Sequence, residues 1–502
     1  MSARVRLGLH GALACLTLLV FVPHYARGLM LYDLGELLFY VQAFLDGRTP
    51  GADFVVNGYG PGRYVLIAGL STVFGLAPLP IAYAVFIALR IGISALVLEL
   101  SRSLLSPGPD SRWTPWMLFA PAVLLLAPGP LHKGFFLFGT LSIALGAVVL
   151  QRSPRDRFAV LFGGVIALAA CFRVDLGLYG ACALLLIAWQ QRKARLFLLG
   201  SIAPMLGAML VLGWLLSAGV LGTVAGQVWH DIVANHTISS PIMPNLGELL
   251  VHPSLDRALL WLPLPILGAL LWLLLRGGER ENRGLWLLLL LGLLTSNQVR
   301  LKPEFGHLLQ AGPLLWVSAA VVAARVPRPS ARWAAGLALL IPALLVTNTL
   351  RSHYGSVYTG SFTIPMDRGF RMDTAAGVLR VSDYEIEEVG PVLRAIAEAP
   401  PGPLWVPTNQ PLLHALTGRP DGTGYVGVLY VAGAPARQQD LLDRLERSRP
   451  SVAAFLDDSM EGPEVRLKAA APPVFDYLHE RYVEVEVIGE YRIMWRRDLR
   501  DP

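Results

Sequence analysis

The amino-acid sequence predicts a mainly α, polytopic membrane helical bundle followed by a small α/β soluble domain. Of the 502 residues, 54% are hydrophobic and only 16% are charged, whereas a soluble chain has about 45–50% apolar and about 25% charged residues. Before residue 350 the apolar residues form repeated runs of membrane-spanning length, and after it the pattern is that of a soluble domain. The composition therefore excludes a wholly soluble enzyme and a disordered or fibrous protein.

A membrane-spanning helix needs about 20 predominantly apolar residues, and the sequence contains eleven candidate spans. They lie at residues 7–23, 81–104, 113–127, 135–150, 158–172, 176–189, 196–218, 258–275, 285–294, 308–324 and 333–350. We interpret the first as an uncleaved anchor, because no small-residue cleavage site follows it. A further apolar run, at residues 64–74, is too short to span and is predicted to lie at the membrane interface.

The distribution of cations predicts the orientation. If the N-terminus is cytoplasmic and residues 64–74 do not span, most Lys/Arg clusters fall in cytoplasmic loops, as the positive-inside rule requires. These clusters lie at residues 102–112, 152–157, 192–195, 276–283 and 325–332. We therefore expect a multi-pass protein of the inner (plasma) membrane with a transmembrane module at residues 1–350. Its first outer loop (24–80), its second large outer loop (219–257) and the C-terminal domain (351–502) are expected on the periplasmic or extracellular side.

The C-terminal domain mixes strand and helix patterns. The spacing of its apolar residues predicts strands at 403–407 and 451–456, helices at 437–449 and 473–481, and a hairpin across 482–496. Strands that alternate with helices are typical of a small α/β domain.

The first outer loop contains two carboxylates, Asp33 and Glu36, at the start of a helical pattern. Side chains three residues apart lie on one side of a helix, where one carboxylate could act as a general base toward an acceptor hydroxyl. The same spacing before an apolar run also predicts an N-terminal capping box, with Asp33 as the cap. The two interpretations are compatible.

The glycine-rich turn that contains Tyr59 and ends at Arg63 follows in the same loop. It lacks the Gly-Lys-Ser/Thr ending of a phosphate loop, so we expect its glycines to shape the start of the 64–74 helix. Arg63 is placed to pair with a lipid phosphate at the membrane surface.

Two further polar groups lie at span ends. Arg173 and Asp175 stand where two spans meet, and charges there are costly unless they are paired or functional. A local ion pair or an interface anchor is as good an explanation as a functional role. Arg300, Lys302 and His307 could hold a phosphate leaving group through their positive charge, although cations in loops are often only solvated.

The sequence predicts no metal site and no organic cofactor, with a divalent metal left open. All three cysteines lie inside apolar runs, which argues against a disulfide framework and a cysteine zinc site. His230, Asp231 and His236 do not have the spacing of metal ligands. No basic cluster with interleaved aromatic residues indicates nucleic-acid binding.

Several short motifs resemble those of a known family. Asp33-Leu-Gly-Glu36, Leu45-Asp-Gly-Arg-Thr-Pro50 and Tyr59-Gly-Pro-Gly62 are similar to the first outer loop of bacterial C-type (GT-C) glycosyltransferases. These are related to protein O-mannosyltransferases and lipid A aminoarabinose transferases. The tail, with Leu416-Thr-Gly-Arg419 and Tyr482 to Tyr491, resembles the periplasmic domains of such proteins.

The resemblance implies a polyprenyl-phosphate sugar donor, inversion at the anomeric carbon, and a catalytic acidic residue that corresponds to Asp33. Many relatives have an adjacent Asp-Glu pair, whereas here Leu34 follows Asp33 and the next acid is Glu36, so the roles of the two acids stay open. A second outer acidic residue found in some relatives is absent, and His132 and Lys133 occupy its place.

The sequence thus predicts a membrane glycosyltransferase that transfers a sugar to a cell-envelope glycan, lipid or protein, with membrane lipids as further partners. The catalytic candidates are Asp33 and Glu36, and the donor-binding candidates are Tyr59, Arg63, Arg173, Asp175, Arg300, Lys302 and His307. The alternatives are a transporter or flippase for a lipid-linked sugar, an O-antigen polymerase or ligase, and a non-catalytic assembly protein.

Overall fold

The computed structural model describes residues 3–25, 33–55, 60–105, 114–126, 133–233, 261–276, 279–301, 305–326, 341, 369–408, 410–427, 431, 434–456 and 467–499. The N-terminal part of these residues forms helices. They are α1 (Ala3–Phe21), α2 (Asp33–Leu45), α3 (Gly62–Phe74), α4 (Pro78–Leu105), α5 (Thr114–Leu126), α6 (Gly134–Arg152), α7 (Asp156–Phe172), α8 (Val174–Gln191), α9 (Ala194–Ser217), α10 (Leu221–Val233), α11 (Pro263–Arg276), α12 (Glu279–Leu301) and α13 (Phe305–Arg325).

The helices pack into the predicted membrane bundle. Five of the described helices, α1, α4, α6, α8 and α9, are long and apolar enough to cross a membrane. Shorter apolar segments occur in α5, α11, α12 and α13, and these four helices share one buried core with α4, α6, α7 and α8. The mainly α membrane fold is thereby confirmed. The last predicted span, at residues 333–350, lies almost entirely outside the described residues.

The third helix has the length expected of an interfacial segment. α3 contains 13 residues and ends at Gly75, which adopts the left-handed conformation. A helix of that length is roughly 20 Å long, whereas the hydrocarbon core of a bilayer is about 30 Å thick. Its length therefore agrees with the prediction that this segment does not span.

The C-terminal part contains helices on a small sheet. Its elements are β1 (Phe370–Thr374), β2 (Gly377–Val381), α14 (Asp383–Glu398), β3 (Leu404–Trp405), α15 (Leu412–Thr417), α16 (Pro435–Ser448), β4 (Val452–Leu456), α17 (Leu467–Ala470), α18 (Pro472–Arg481), β5 (Tyr482–Ile488) and β6 (Tyr491–Arg496). The main sheet has the order β3-β4-β6-β5. β3 pairs with β4 in parallel, and the other two pairs are antiparallel. The predicted α/β character, both predicted strands, both helices and the hairpin are confirmed.

Four features of this domain are additional to the sequence prediction: the β1–β2 hairpin, α14, α15 and the short helix α17. α14 begins with a capping box in which the Glu385 backbone N–H donates to Ser382 Oγ at 3.2 Å and the Ser382 N–H donates to Glu385 Oε2 at 2.8 Å. The Ser-x-x-Glu spacing that produces such a box is a recognisable sequence signal for a helix start.

The C-terminal domain contacts one end of the bundle, which we call the domain end. Gly377 of β2 lies against Pro80 at the start of α4. At the opposite end, Glu99 of α4 accepts hydrogen bonds from Arg6 at 2.7 Å and from Arg102 at 2.7 Å. The Glu99 cluster therefore fixes α1 on α4 far from the C-terminal domain.

Helix α2 packs directly on the C-terminal domain. A Cβ atom at Gly35 would lie 2.2 Å from the backbone nitrogen of Leu412 in α15, so a residue without a side chain is required there. Leu37 and Val41 of α2 are buried in the same apolar cluster as Trp405 and Phe455. One continuous core thus joins the first outer loop to the C-terminal domain.

Polar contacts strengthen this junction farther along the loop. The Val55 N–H donates to the Gly424 carbonyl at 2.8 Å. Arg444 of α16 donates to the Ala52 carbonyl at 2.9 Å and to the Asp53 carbonyl at 3.3 Å. Backbone groups of the loop therefore find hydrogen-bond partners in the C-terminal domain, and for the buried Val55 such a partner is required.

The Gly35 contact gives a first prediction, for the variant Gly35→Ala. Helix propensity alone favours alanine over glycine by ~1 kcal/mol, but the new Cβ would meet backbone that cannot rotate away. We expect a net destabilisation of ~1–3 kcal/mol, the usual cost of overpacking. The measurement is the thermal midpoint of the detergent-purified protein. Gly69→Ala on α3, where the added Cβ meets no atom within 4 Å, is the matched control. Equal upward shifts in both variants would contradict the close contact.

A second prediction concerns His414 of α15, whose ring centroid lies 6.1 Å from that of Phe39 in α2. Burial lowers the pKa of His414 below its ordinary 6.5, the charge of Asp421 opposes this shift, and that of Arg48 adds to it. Below pH 6.5 the unfolded chain binds more protons at this site than the folded one. Burial of the neutral imidazole therefore costs no stability above that pH. As the pH falls toward the folded-state pKa, the free energy of unfolding decreases.

The measurement for His414 is thermal unfolding as a function of pH, in the wild type and in His414→Gln. We expect the wild type to lose more stability than the variant on acidification below neutral pH, because only the wild type carries the buried imidazole. Parallel curves for the two proteins would show that His414 does not contribute.

Candidate active site

A buried ion pair links α2 to α3. The Glu36 residue is only 3% exposed, and Arg63 Nη2 donates to Glu36 Oε1 at 3.2 Å. Arg63 also donates to the Tyr64 hydroxyl. Because removing one partner of a buried pair costs ~3–5 kcal/mol, Glu36 holds the guanidinium of Arg63 in a defined place at the membrane surface.

Aromatic contacts support this pair. The rings of Tyr40 in α2 and Tyr64 in α3 lie 4.6 Å apart, and the Tyr40 hydroxyl donates to the Val55 carbonyl at 3.0 Å. The two helices are therefore held together by packing as well as by charge, and the side of α2 that carries Glu36 faces α3.

The glycine-rich turn brings α3 against the end of α7. A Cβ atom at Gly60 would lie 2.2 Å from the Cys171 carbonyl oxygen, so this approach requires glycine. Cys171 precedes Arg173 by two residues. The turn thus shapes the start of α3, as predicted, and places Arg63 and Arg173 in the same region of the domain end.

Arg173 and Asp175 form a two-point ion pair between α7 and α8. Arg173 Nε donates to Asp175 Oδ1 at 2.9 Å, and Arg173 Nη2 lies 2.9 Å from Asp175 Oδ2. The guanidinium also lies 4.5 Å from the centroid of the Phe136 ring. The ion-pair interpretation of the sequence is therefore confirmed. The pair keeps part of its surface exposed, with side-chain exposures of 17% and 27%.

A cavity of about 930 Å³ lies between the first outer loop and the C-terminal domain. Its walls come from α2, the loop after it, α15 and α16. The charged and polar lining side chains are Gln42, Asp46, Arg48, Asp53, His414, Arg419, Asp421, Thr423, Arg444, Arg447 and Ser448. Phe39 lines it one helical turn from Glu36, so the cavity begins close to the Glu36–Arg63 pair. Its mixed charge and hydroxyl groups are suited to a polar molecule.

The remaining predicted site residues are only partly described. Asp33 is the first residue of α2, but its side chain lies outside the described part of the chain, as do Tyr59 and Lys302 and the side chains of Arg300 and His307. The backbone still locates Arg300, because α12 begins at the opposite end, where Gly284 contacts Leu104, and its last residues therefore come to the domain end. The roles of these residues stay predictions.

Within the described residues, no group of three His, Cys, Asp or Glu side chains is placed to hold a metal ion. His236 and the side chains of His230 and Asp231 lie outside that set.

Two buried polar residues are missing from the sequence-based candidates. Arg90 is 1% exposed in the middle of α4, and its guanidinium lies 5.4 Å from the centroid of the Phe21 ring. A single arginine inside an apolar span is a recognised sequence signal for function. His414, in contrast, carries no local signal, because its burial depends on the contact between α15 and α2.

The chain has no match among protein-family models or among curated protein sequences, but it is similar to solved structures. One is ArnT from Cupriavidus metallidurans bound to undecaprenyl phosphate, with a TM-score of 0.57 and 14% identity over 98% of both chains. Another is the archaeal oligosaccharyltransferase AglB from Archaeoglobus fulgidus in complex with an inhibitory peptide and a dolichol-phosphate. Here the TM-score is 0.57 and the identity 10%, over 99% of this chain and 75% of AglB.

At such identities the likeness establishes the fold, and it extends over almost the whole chain. The chain is a multi-pass membrane protein that shares its fold with ArnT and AglB, in agreement with the resemblance found in the first outer loop.

Proposed function

We propose that the chain is an integral membrane glycosyltransferase that uses a polyprenyl-phosphate sugar as donor. It transfers the sugar to a glycan, lipid or protein acceptor of the cell envelope on the outer face of the membrane, with inversion at the anomeric carbon. The observation that carries this proposal is the buried Glu36–Arg63 pair at the domain end. Support comes from the GT-C fold, which the chain shares with a structure bound to undecaprenyl phosphate.

The cations of the domain end suit the donor phosphate. Arg63 and Arg173 are each held by a carboxylate, and Arg300 comes to the same end through α12. Prepositioned positive charge stabilises the negative charge that grows on a leaving phosphate, and guanidinium groups bind phosphate oxygens with two parallel hydrogen bonds. Tyr59, Lys302 and His307 are proposed as further phosphate contacts, and Asp175 orients Arg173.

Asp33 is the better candidate for the base. The carboxylate of Glu36 is buried and already accepts a hydrogen bond from Arg63, so it is not exposed to an acceptor hydroxyl. Asp33 lies three residues earlier, on the same side of α2, at the end of the helix where an acceptor can approach. Glu36 therefore acts as a positioning residue for Arg63.

The reaction is a single displacement. The acceptor hydroxyl gives its proton to Asp33, and its oxygen forms a bond to the anomeric carbon. The bond between that carbon and the phosphate oxygen breaks on the opposite side, and polyprenyl phosphate leaves with the electron pair. Attack opposite to the leaving group explains the proposed inversion.

The cavity between the first outer loop and the C-terminal domain is proposed to receive the polar part of the acceptor. Phe39 and His414 connect it to the side of α2 next to Glu36. The proposal includes the orientation expected from the sequence, in which the domain end faces the periplasm or the exterior and the N-terminus is cytoplasmic in the inner membrane.

The third prediction is for Asp33→Asn. We expect the rate of sugar transfer to fall by ~10²–10⁴-fold, the usual contribution of general base catalysis, because an amide does not accept the proton. Purified protein is incubated with a panel of polyprenyl-phosphate sugars, and mass spectrometry measures glycosylated acceptor and free polyprenyl phosphate. Asp156→Asn, which removes an exposed ion pair with Arg195 at the opposite end, is the control and should remain active. Unimpaired transfer by Asp33→Asn would remove Asp33 from the mechanism.

The fourth prediction is for Glu36→Gln. We expect a lower thermal midpoint, a higher KM for the donor, and a smaller loss of kcat than in Asp33→Asn, because Arg63 loses its partner while the base remains. Rates are normalised to the monodisperse fraction of each preparation. If Glu36→Gln lost as much kcat as Asp33→Asn at unchanged KM and stability, Glu36 would be the base.

A further inference from the structure

The opposite end of the bundle carries two connected cavities between α8 and α12. Polar contacts join the helix ends there: Gln191 Nε2 donates to the Gln151 carbonyl at 3.0 Å, and Arg195 pairs with Asp156 at 2.7 Å. α8 has 18 residues and is therefore roughly 27 Å long. The cations at the end of α8 thus lie roughly 27 Å from Arg173 and the proposed active site.

The outer of the two cavities has a volume of about 1170 Å³ and is basic. Its polar and aromatic lining includes Trp189, Gln190, Arg192, Lys193, Arg283 and Trp286. None of the described lining residues is acidic, so the three cations attract an anion.

The second cavity, of about 560 Å³, continues from the first toward the middle of the membrane. It is lined by Cys182 and apolar side chains only, among them Leu289, Leu290 and Leu293. The two cavities share Leu185, Trp189 and Trp286. Trp189 is 74% exposed and Trp286 is 40% exposed, and tryptophan at this level is typical of the lipid–water interface.

The backbone presents one cation in an unusual way. Arg192 ends α8 in the left-handed conformation with φ +52°, where glycine is the residue of lower cost. The Lys193 N–H donates to the Ala188 carbonyl at 2.9 Å and closes the turn. Two adjacent cations are thereby presented at the mouth of the cavity.

We propose that this paired cavity binds an anionic glycerophospholipid of the leaflet opposite the C-terminal domain. Arg192, Lys193 and Arg283 would bind the phosphate, and one acyl chain would lie in the apolar cavity between α8 and α12. Basic pockets between membrane helices recognise anionic headgroups in this way, and the buried chain contributes through the hydrophobic effect. The site is independent of the proposed transferase reaction.

The test uses the purified full-length protein and native mass spectrometry. Phosphatidylglycerol is compared with phosphatidylcholine of identical acyl chains and with undecaprenyl phosphate. We expect selective retention of phosphatidylglycerol, which weakens by roughly fivefold for each cation removed in Arg192→Gln, Lys193→Gln and Arg283→Gln. Leu290→Trp, which fills the apolar cavity and leaves the cations in place, should also reduce retention.

The control is Arg155→Gln with Arg157→Gln, which removes two cations at the same end but outside the cavity lining. It should retain phosphatidylglycerol as the wild type does. Equal retention of phosphatidylcholine, unchanged retention in the cation and Leu290→Trp variants, or displacement of phosphatidylglycerol by an equal concentration of undecaprenyl phosphate would overturn the proposal. Covalent labelling of the peptides around Trp189 by a photoactivatable phosphatidylglycerol would support it, and labelling confined to the domain end would overturn it.

Discussion

Gly35 allows α2 to lie against the backbone of Leu412, and this contact determines how the first outer loop and the C-terminal domain meet. α2 packs on α3 through one side and on α15 through another, so contacts with both helices fix its position. The apolar cluster that contains Leu37, Tyr64 and Trp405 crosses the boundary between the two parts of the chain. Because interiors pack at near-crystalline density, a shift of α2 would disturb the Glu36–Arg63 pair and the adjoining cavity together.

Two ion pairs hold arginine side chains where the helices meet at the domain end. Glu36 with Arg63 and Arg173 with Asp175 are both partly or fully withdrawn from water. Such pairs contribute little net stability, because desolvation offsets the Coulomb attraction. Their retention in so apolar a chain is consistent with a role toward a charged ligand, since paired cations keep their charge and orientation until a phosphate arrives.

The two ends of the bundle differ in what they offer to lipids. At the domain end, cations lie beside carboxylates and next to a polar cavity, an arrangement suited to reaction. At the opposite end, Arg192, Lys193 and Arg283 line a cavity with no acidic residue in its described lining, and an apolar cavity adjoins it, an arrangement suited to binding alone. Arginine side chains are proposed to bind phosphate at both ends. The neighbouring residues favour sugar transfer at the domain end and lipid binding at the opposite end.

The sequence alone determined the membrane bundle and the C-terminal α/β character, because helix spans and strands follow from local hydrophobic periodicity. It also identified Glu36, Arg63, Arg173 and Asp175, and for the last two it offered the observed ion pair as one interpretation. Only the tertiary structure decided that Glu36 pairs with Arg63, 27 residues away, that α2 packs on α15, and that a cavity opens between them. Such contacts depend on how distant segments pack, and no local pattern encodes their geometry.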